Sequence, residues 1–249
     1  LEPNAHDDWI NQRNDNFYYL KSLTGVGDSI FSLRSNGVQT NRELWVYNFS
    51  KEELKRNIVK TSDFFNGALS DKDSLIDSID GHVSDINKEL LKSLPDNPRK
   101  IKWTRGLVSR MSRKIPLTVD FSHIGEGLHR PFCKEWIYYD RALNEYYKDK
   151  IYPSVEYENL AIQVTGTGAT KEFSCLVSDK IPDLEVISKG QCLPLHYYGK
   201  VKLKEQSLLD NTSEEYIRQD GITDTALKEI RTHYGDDSIT KEAIFYYTY

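Results

Sequence analysis

The chain has 249 residues, enough for one large domain or two small ones with a real core. Hydrophobic residues make up 38% and charged residues 29%, and no apolar run reaches the ~20 residues that span a bilayer, which argues against a membrane protein. The net charge of −5 argues against indiscriminate polyanion binding, so any nucleic-acid contact has to rest on a local basic face.

Residues 1–50 read as strands and linker. Gly25-Val26-Gly27-Asp28 is a turn signal, and Ile30 to Ser35 and Leu44 to Tyr47 read as strands. Asn36-Gly37 after the first favours a turn with positive φ. A helical segment is expected over 51–115. Ser50 opens it, with Glu53 three residues later completing a capping box and Leu54, Ile58 and Phe65 on one face. A second helix is predicted from about Asp71 to Leu94. Its apolar residues Leu75, Ile79, Val83, Ile86, Leu90 and Leu94 are spaced for burial, Gly81 interrupts it, and Pro95 and Pro98 stop it. A third helix is predicted from Pro98 to Lys114.

That third segment carries Arg99, Lys100, Lys102, Arg105, Arg110, Arg113 and Lys114 with no Asp or Glu between them. Helical spacing would place Lys102, Arg105 and Arg113 near one side and Trp103, Leu107 and Met111 partly on another. Such a stripe suits a solvated face, phosphate tracking, or docking on another domain. The stretch from Glu205 onward is the opposite, with ten carboxylates against four Lys or Arg.

Over 116–205 short β-rich runs alternate with Pro and Gly: 136–139, 160–164, 173–177 and 184–187. They predict an α+β fold, with a mixed or antiparallel sheet core between about Val119 and Leu203 and helices at its side. Helices return over 206–249, one at Thr223 to His233 and one from Thr240. The last runs to the final residue with no Gly cap, which reads as a cut inside a larger protein.

Few residues suggest chemistry. Cys133, Cys175 and Cys192 form no CxxC pair, so reduced thiols and a cytosolic setting are expected, with no metal site. The six histidines show no metal-binding spacing. Gly166-Thr167-Gly168-Ala169-Thr170-Lys171 follows a strand but has neither the P-loop spacing nor the third glycine of a dinucleotide fingerprint. A tight turn is the plain reading. The alternative is a DNA-contacting loop in which Thr165, Thr167, Thr170 and Lys171 donate to phosphate. In the stretch His129 to Asp140, Pro131 fixes a turn and Phe132 and Trp136 are expected in the core. Arg130 can fork onto guanine or pair with Asp140, and Lys134 is a point charge open to DNA.

The segment His129-Arg130-Pro131-Phe132-Cys133-Lys134-Glu135-Trp136-Ile137-Tyr138-Tyr139-Asp140 also carries a resemblance. Flanked by Asn41 to Ser50 upstream and Cys192 to Tyr198 downstream, it resembles the C-terminal specificity region of single-polypeptide (type ISP) restriction–modification enzymes. The likeness runs from Asp8-Trp9-Ile10-Asn11-Gln12-Arg13 to Ile244-Phe245-Tyr246-Tyr247. It implies a target-recognition domain that binds double-stranded DNA beside adenine-N6 methyltransferase, helicase-like and nuclease domains of one parent chain. S-adenosylmethionine, ATP and magnesium would belong to the parent, with no cofactor in this stretch. No Pro-Pro occurs here, so the Asn/Asp-Pro-Pro-Tyr/Phe motif of such methyltransferases is absent. A scaffold domain linking the parent's modules is the rival reading, suited by the acidic tail and helical segment.

Overall fold

A computed structural model describes residues 29–95, 97–200 and 216–249. The Asp8 to Arg13 motif, the Gly25 to Asp28 turn, the sheet boundary at Leu203 and part of the acidic tail lie outside them. The fold is α+β. The elements in order are β1 (Ser35–Asn36), α1 (Glu43–Val46), β2 (Tyr47–Asn48), α2 (Lys51–Ser78), α3 (Val83–Ser93), α4 (Arg105–Ser112), β3 (Ile124–Arg130), β4 (Cys133–Tyr138), β5 (Ala161–Val164), β6 (Cys175–Ser178), β7 (Ile181–Pro182), β8 (Gln191–Pro194), β9 (His196–Lys200), β10 (Tyr216–Asp220), α5 (Asp224–Tyr234) and α6 (Lys241–Thr248). They fall into two compact units. A helical unit comprises Val38–Tyr147 with Ser154–Glu156. A β-rich unit comprises the described residues of Leu1–Gly37, then Lys148–Pro153 and Tyr157–Tyr249.

The helical unit is organised by α2. The Ser50 hydroxyl accepts the Glu53 amide at 3.3 Å, the expected cap. Leu54, Ile58 and Phe65 are fully buried, each stabilising by about 1.5–3 kcal/mol. The helix does not stop near Phe65 and restart at Asp71. Gly67 sits within it facing open space, and burial of Phe65, Ala68 and Ile76 outweighs its poor propensity. The break comes at residues 79–82, where Gly81 takes φ +150. Shortened in this way, α3 buries only Leu90. Ile86 and the flanking Leu75 and Ile79 are half-buried, and Val83 is 40% exposed, against the expected buried stripe.

Two further expectations fail in this unit. Leu44 to Val46 form a single helical turn, and only Tyr47 and Asn48 are strand. The Arg42 carbonyl collects the amides of Trp45 and Val46, so a fixed Arg42 overrides local strand preference. The Pro98 to Lys114 helix is confined to α4, because the Thr104 hydroxyl accepts the Leu107 amide at 3.5 Å and starts it there. Residues 98–100 are a turn docked on α2, with Thr61 Oγ1 donating to the Lys100 carbonyl at 2.9 Å. Asn66 holds Leu117 through two 2.9 Å bonds. Strands β2, β4 and β3 lie side by side in that order, all antiparallel, with α2 packed against β2 and β4.

In the β-rich unit the antiparallel order is β1-β8-β5-β6, and β9 pairs with β10. Ile162, Leu193 and Leu195 meet Ala226, Ile244 and Phe245 of α5 and α6 in one core, where Phe31 meets Phe245 edge-on at 6.3 Å. The expected Ile30 to Ser35 strand is reduced to one bridge, Phe31 to Ile222, followed by β1. Gly37 passes so close to Asp183 that a Cβ would lie 2.6 Å from its carbonyl oxygen. The 184–187 run is a turn and not a strand. Asp183 accepts the Glu185 amide at 2.9 Å, an Asx arrangement that buries Val186 and Ile187 without a ladder. Thr223 and Thr240 cap α5 and α6, and Gly235 at φ +64 closes α5.

Cys192 on β8 is 1% exposed, and burial pushes its thiol up to about 12. The thiolate is the reactive form, so an alkylating reagent at neutral pH is expected to modify Cys192 only after unfolding. Mass mapping of native labelling checks this, and rapid native modification of Cys192 would refute the packing of β8. Among the described residues no helix is long and apolar enough to cross a membrane, and no cluster of His, Cys, Asp and Glu is arranged to hold a metal ion.

Candidate nucleic-acid interface

Three segments carry the exposed cations and hydroxyls. The first is the basic segment around α4. One side of α4 buries Leu107, Val108 and Met111, leaving Arg105 and Arg113 exposed. Lys102 is exposed too but precedes the helix, so helical spacing does not align it with them. Arg110 and Lys114 have structural partners. Arg110 donates from Nε and Nη2 to the Pro116 carbonyl at 3.2 and 2.7 Å, fastening the chain after the helix. Lys114 takes φ +55 and reaches Asp73 and Asp77 of α2 at 2.8 and 2.6 Å, and those carboxylates raise its pKa.

Arg42 positions the start of α4. Its side chain is 1% exposed, and its guanidinium donates to the Leu143 carbonyl and the Thr104 hydroxyl and lies 3.5 Å from Glu145. Glu145 in turn accepts the Gly106 amide at 2.8 Å, placing a carboxylate at the helix N-terminus, where the helix dipole favours it. Burial lowers Arg42 to about 10, opposed by the charge and hydrogen bond of Glu145, so it stays protonated at neutral pH.

The second segment is the β3–β4 hairpin. Arg130 ends β3 and is exposed, donating from Nη1 to the His129 carbonyl at 2.6 Å. Asp140, its suggested partner, takes the Ala142 amide at 2.7 Å and His123 Nδ1 at 3.1 Å. Lys134 is exposed on β4. Phe132 is not in the core. It sits at the turn with φ +60 and 85% of its surface exposed. Pro131 at the second turn position and a positive φ at the third is the type II pattern, which aims the third side chain away from the sheet. Trp136 is half-buried, with Lys51 Nζ 4.7 Å above its ring. Beneath the tip His129 Nδ1 meets Glu135 at 2.7 Å, and the His129 ring stacks on Tyr47 at 4.5 Å.

The third segment, residues 165–174, joins β5 to β6 in the β-rich unit and contains the expected turn. Ala169 donates to the Gly166 carbonyl at 3.2 Å, and Gly168 takes φ +76. Thr165 is spent on the loop itself, its hydroxyl accepting the Ser174 amide at 2.8 Å. Thr167 accepts from Gln191 at 3.3 Å. Thr170 and Lys171 are exposed, as is Phe173 at 69%. Lys189, which sequence reasoning missed, joins them. It takes φ +50, and its ammonium donates to the Gly168 carbonyl at 2.7 Å. No local motif marks Lys189, since only the fold of residues 183–190 brings it there.

Comparison with known proteins gives one family and several structures. The family model for the Type ISP C-terminal specificity domain matches residues 29–249. The cryo-EM structure of a DrdV–DNA complex is similar with TM-score 0.74 and 28% identity, over 100% of this chain and 23% of that one. A nuclease-deletion mutant of the Type ISP restriction–modification enzyme LlaGI, in complex with a DNA substrate mimic, is similar with TM-score 0.70 and 29% identity, over 94% of this chain and 17% of that one. The ATP-dependent Type ISP restriction–modification enzyme LlaBIII, bound to DNA, is similar with TM-score 0.70 and 27% identity, over 96% of this chain and 14% of that one. The chain therefore spans less than a quarter of the length of each. No curated protein matches it.

Proposed function

The chain belongs to the Type ISP C-terminal specificity domain family, and from that premise we propose that it is the target-recognition domain of a restriction–modification enzyme. It grips duplex DNA and reads a short site, and a neighbouring domain of the same parent acts on it. The observation that carries this reading is the family match over residues 29–249, joined to likeness with three enzymes whose structures contain DNA or a DNA mimic. The exposed cations Lys102, Arg105 and Arg113 on one segment, and Arg130 and Lys134 on another, support it. Phosphate contacts supply affinity, and base edges supply choice.

In the same reading the parent is a site-specific adenine-N6 DNA methyltransferase with an ATP-dependent endonuclease, acting in the cytoplasm. S-adenosylmethionine, ATP and magnesium serve its other domains, and this chain contributes binding and position. Extrusion of the target base falls to the methyltransferase neighbour. A second reading, a scaffold that couples those modules, is favoured by the exposed Tyr246, Tyr247 and Tyr249 at the end of the chain. Fluorescence anisotropy with labelled duplex DNA separates the two. The recognition domain is expected to bind with an affinity that falls steeply as salt rises. Salt-independent or absent binding would support the scaffold.

A further inference from the structure

We propose that Phe132 is a wedge: on bound duplex DNA its ring enters a base step and partly unstacks it, with Arg130 and Lys134 on the phosphates to either side. The proposal rests on the DNA-recognition reading and adds a residue and a mode of contact to it.

The tip of the β3–β4 hairpin is costly to build as it stands. A phenylalanine exposed over 85% of its surface leaves a large apolar ring in water, and φ +60 is a conformation that side chains with a Cβ disfavour. Glycine or asparagine would serve the turn better. Nothing within the hairpin requires this ring, because the packing below the tip is completed by His129, Glu135 and Tyr47. An outlier held by rigid surroundings points to a contact made outside the domain.

The surroundings say what kind. The hairpin is held by a ladder from Ile124↔Tyr138 to Arg130↔Cys133, with an irregularity between Leu128 and Arg130 that redirects the last residues of β3. A cation stands on each strand beside the ring, Arg130 before it and Lys134 after it. Lys51 sits over Trp136 further down the same hairpin. Phe49, 73% exposed, follows Asn48, which pairs with Trp136, so it continues toward the tip. Of the carboxylates, Glu135 is turned in to His129, and Glu126 is exposed opposite Trp136. The tip itself, from Arg130 to Lys134, carries no acid. An apolar ring between two cations on a narrow, rigid ribbon matches duplex DNA, where apolar side chains unstack base steps while neighbouring cations neutralise phosphate.

The test compares the full 249-residue chain with Phe132→Gly and Phe132→Trp on two duplexes, one fully paired and one with a single mismatched pair at its centre. A mismatch lowers the cost of unstacking, so the wild type is expected to prefer that duplex by about tenfold. Phe132→Gly should abolish the preference while melting no lower than the wild type, since glycine accepts φ +60 without strain. Phe132→Trp should retain it. A preference that survives in Phe132→Gly, or a wild type that binds both duplexes equally, overturns the wedge and leaves DNA recognition standing. If the wild type binds neither duplex, the recognition reading itself fails and takes the wedge with it.

Discussion

Replacing Arg42 by alanine is expected to remove about 3–5 kcal/mol of folding stability, the cost of breaking a buried and hydrogen-bonded charge pair. The side chain reaches residues 62, 101 and 103 positions away, tying Thr104, Leu143 and Glu145 to one point. Its loss leaves the Leu143 carbonyl without that donor and Glu145 without its nearest cation. Lysine should not rescue it, because a single ammonium cannot reproduce the fork that serves Leu143 and Thr104 together. Chemical denaturation of Arg42→Ala and Arg42→Lys measures the effect. A loss below about 1 kcal/mol in the alanine variant would mean that the network contributes no more than an ordinary hydrogen bond. The variant should also weaken DNA binding indirectly, since Thr104 and Glu145 set the start of the helix that carries Arg105.

The second large effect is electrostatic. Each phosphate neutralised on duplex DNA contributes about 0.9 to the logarithmic salt slope, so changing Lys102, Arg105 and Arg113 together to alanine is expected to flatten the slope by about two to three units. Arg110→Ala and Lys114→Ala are the controls. Arg110 is held by Pro116, and Lys114 by Asp73 and Asp77, so neither should move the slope appreciably. Binding titrations across a salt series give the slopes. An unchanged slope in the triple variant would assign this face to solvent or to another domain of the parent.

Much of the local structure was legible because it is written in local chemistry. Ser50 with Glu53 announced a helix start, Thr223 and Thr240 sit where their caps form, and the strand content of 133–138 and 161–164 followed from residue type and spacing. The family resemblance was legible because its motifs are aromatic, separated and ordered. Long-range facts were not. Nothing near Arg42 says that Thr104 and Leu143 will close around it, and that closure is what bends Leu44 to Val46 into a helical turn. Phe132 misled through its composition. An aromatic beside a strand signals core, but Pro131 sets a turn that carries the ring outward. Thr165 shows the limit for the interface. A hydroxyl suited to phosphate is equally suited to a backbone amide, and here Ser174 takes it. Lys189 shows the converse, a cation brought to the loop of residues 165–174 only by an Asx turn around Asp183.

The central claim is that this chain chooses a DNA sequence. Selection from a pool of randomised duplexes, followed by sequencing of the bound fraction, addresses it whatever the site may be. Successive rounds with the 249-residue chain are expected to enrich one short asymmetric motif. Single-base changes in that motif should each cost about 1–3 kcal/mol of affinity. Retention of duplexes with no motif enriched would show a chain that holds DNA without reading it, and would contradict the account.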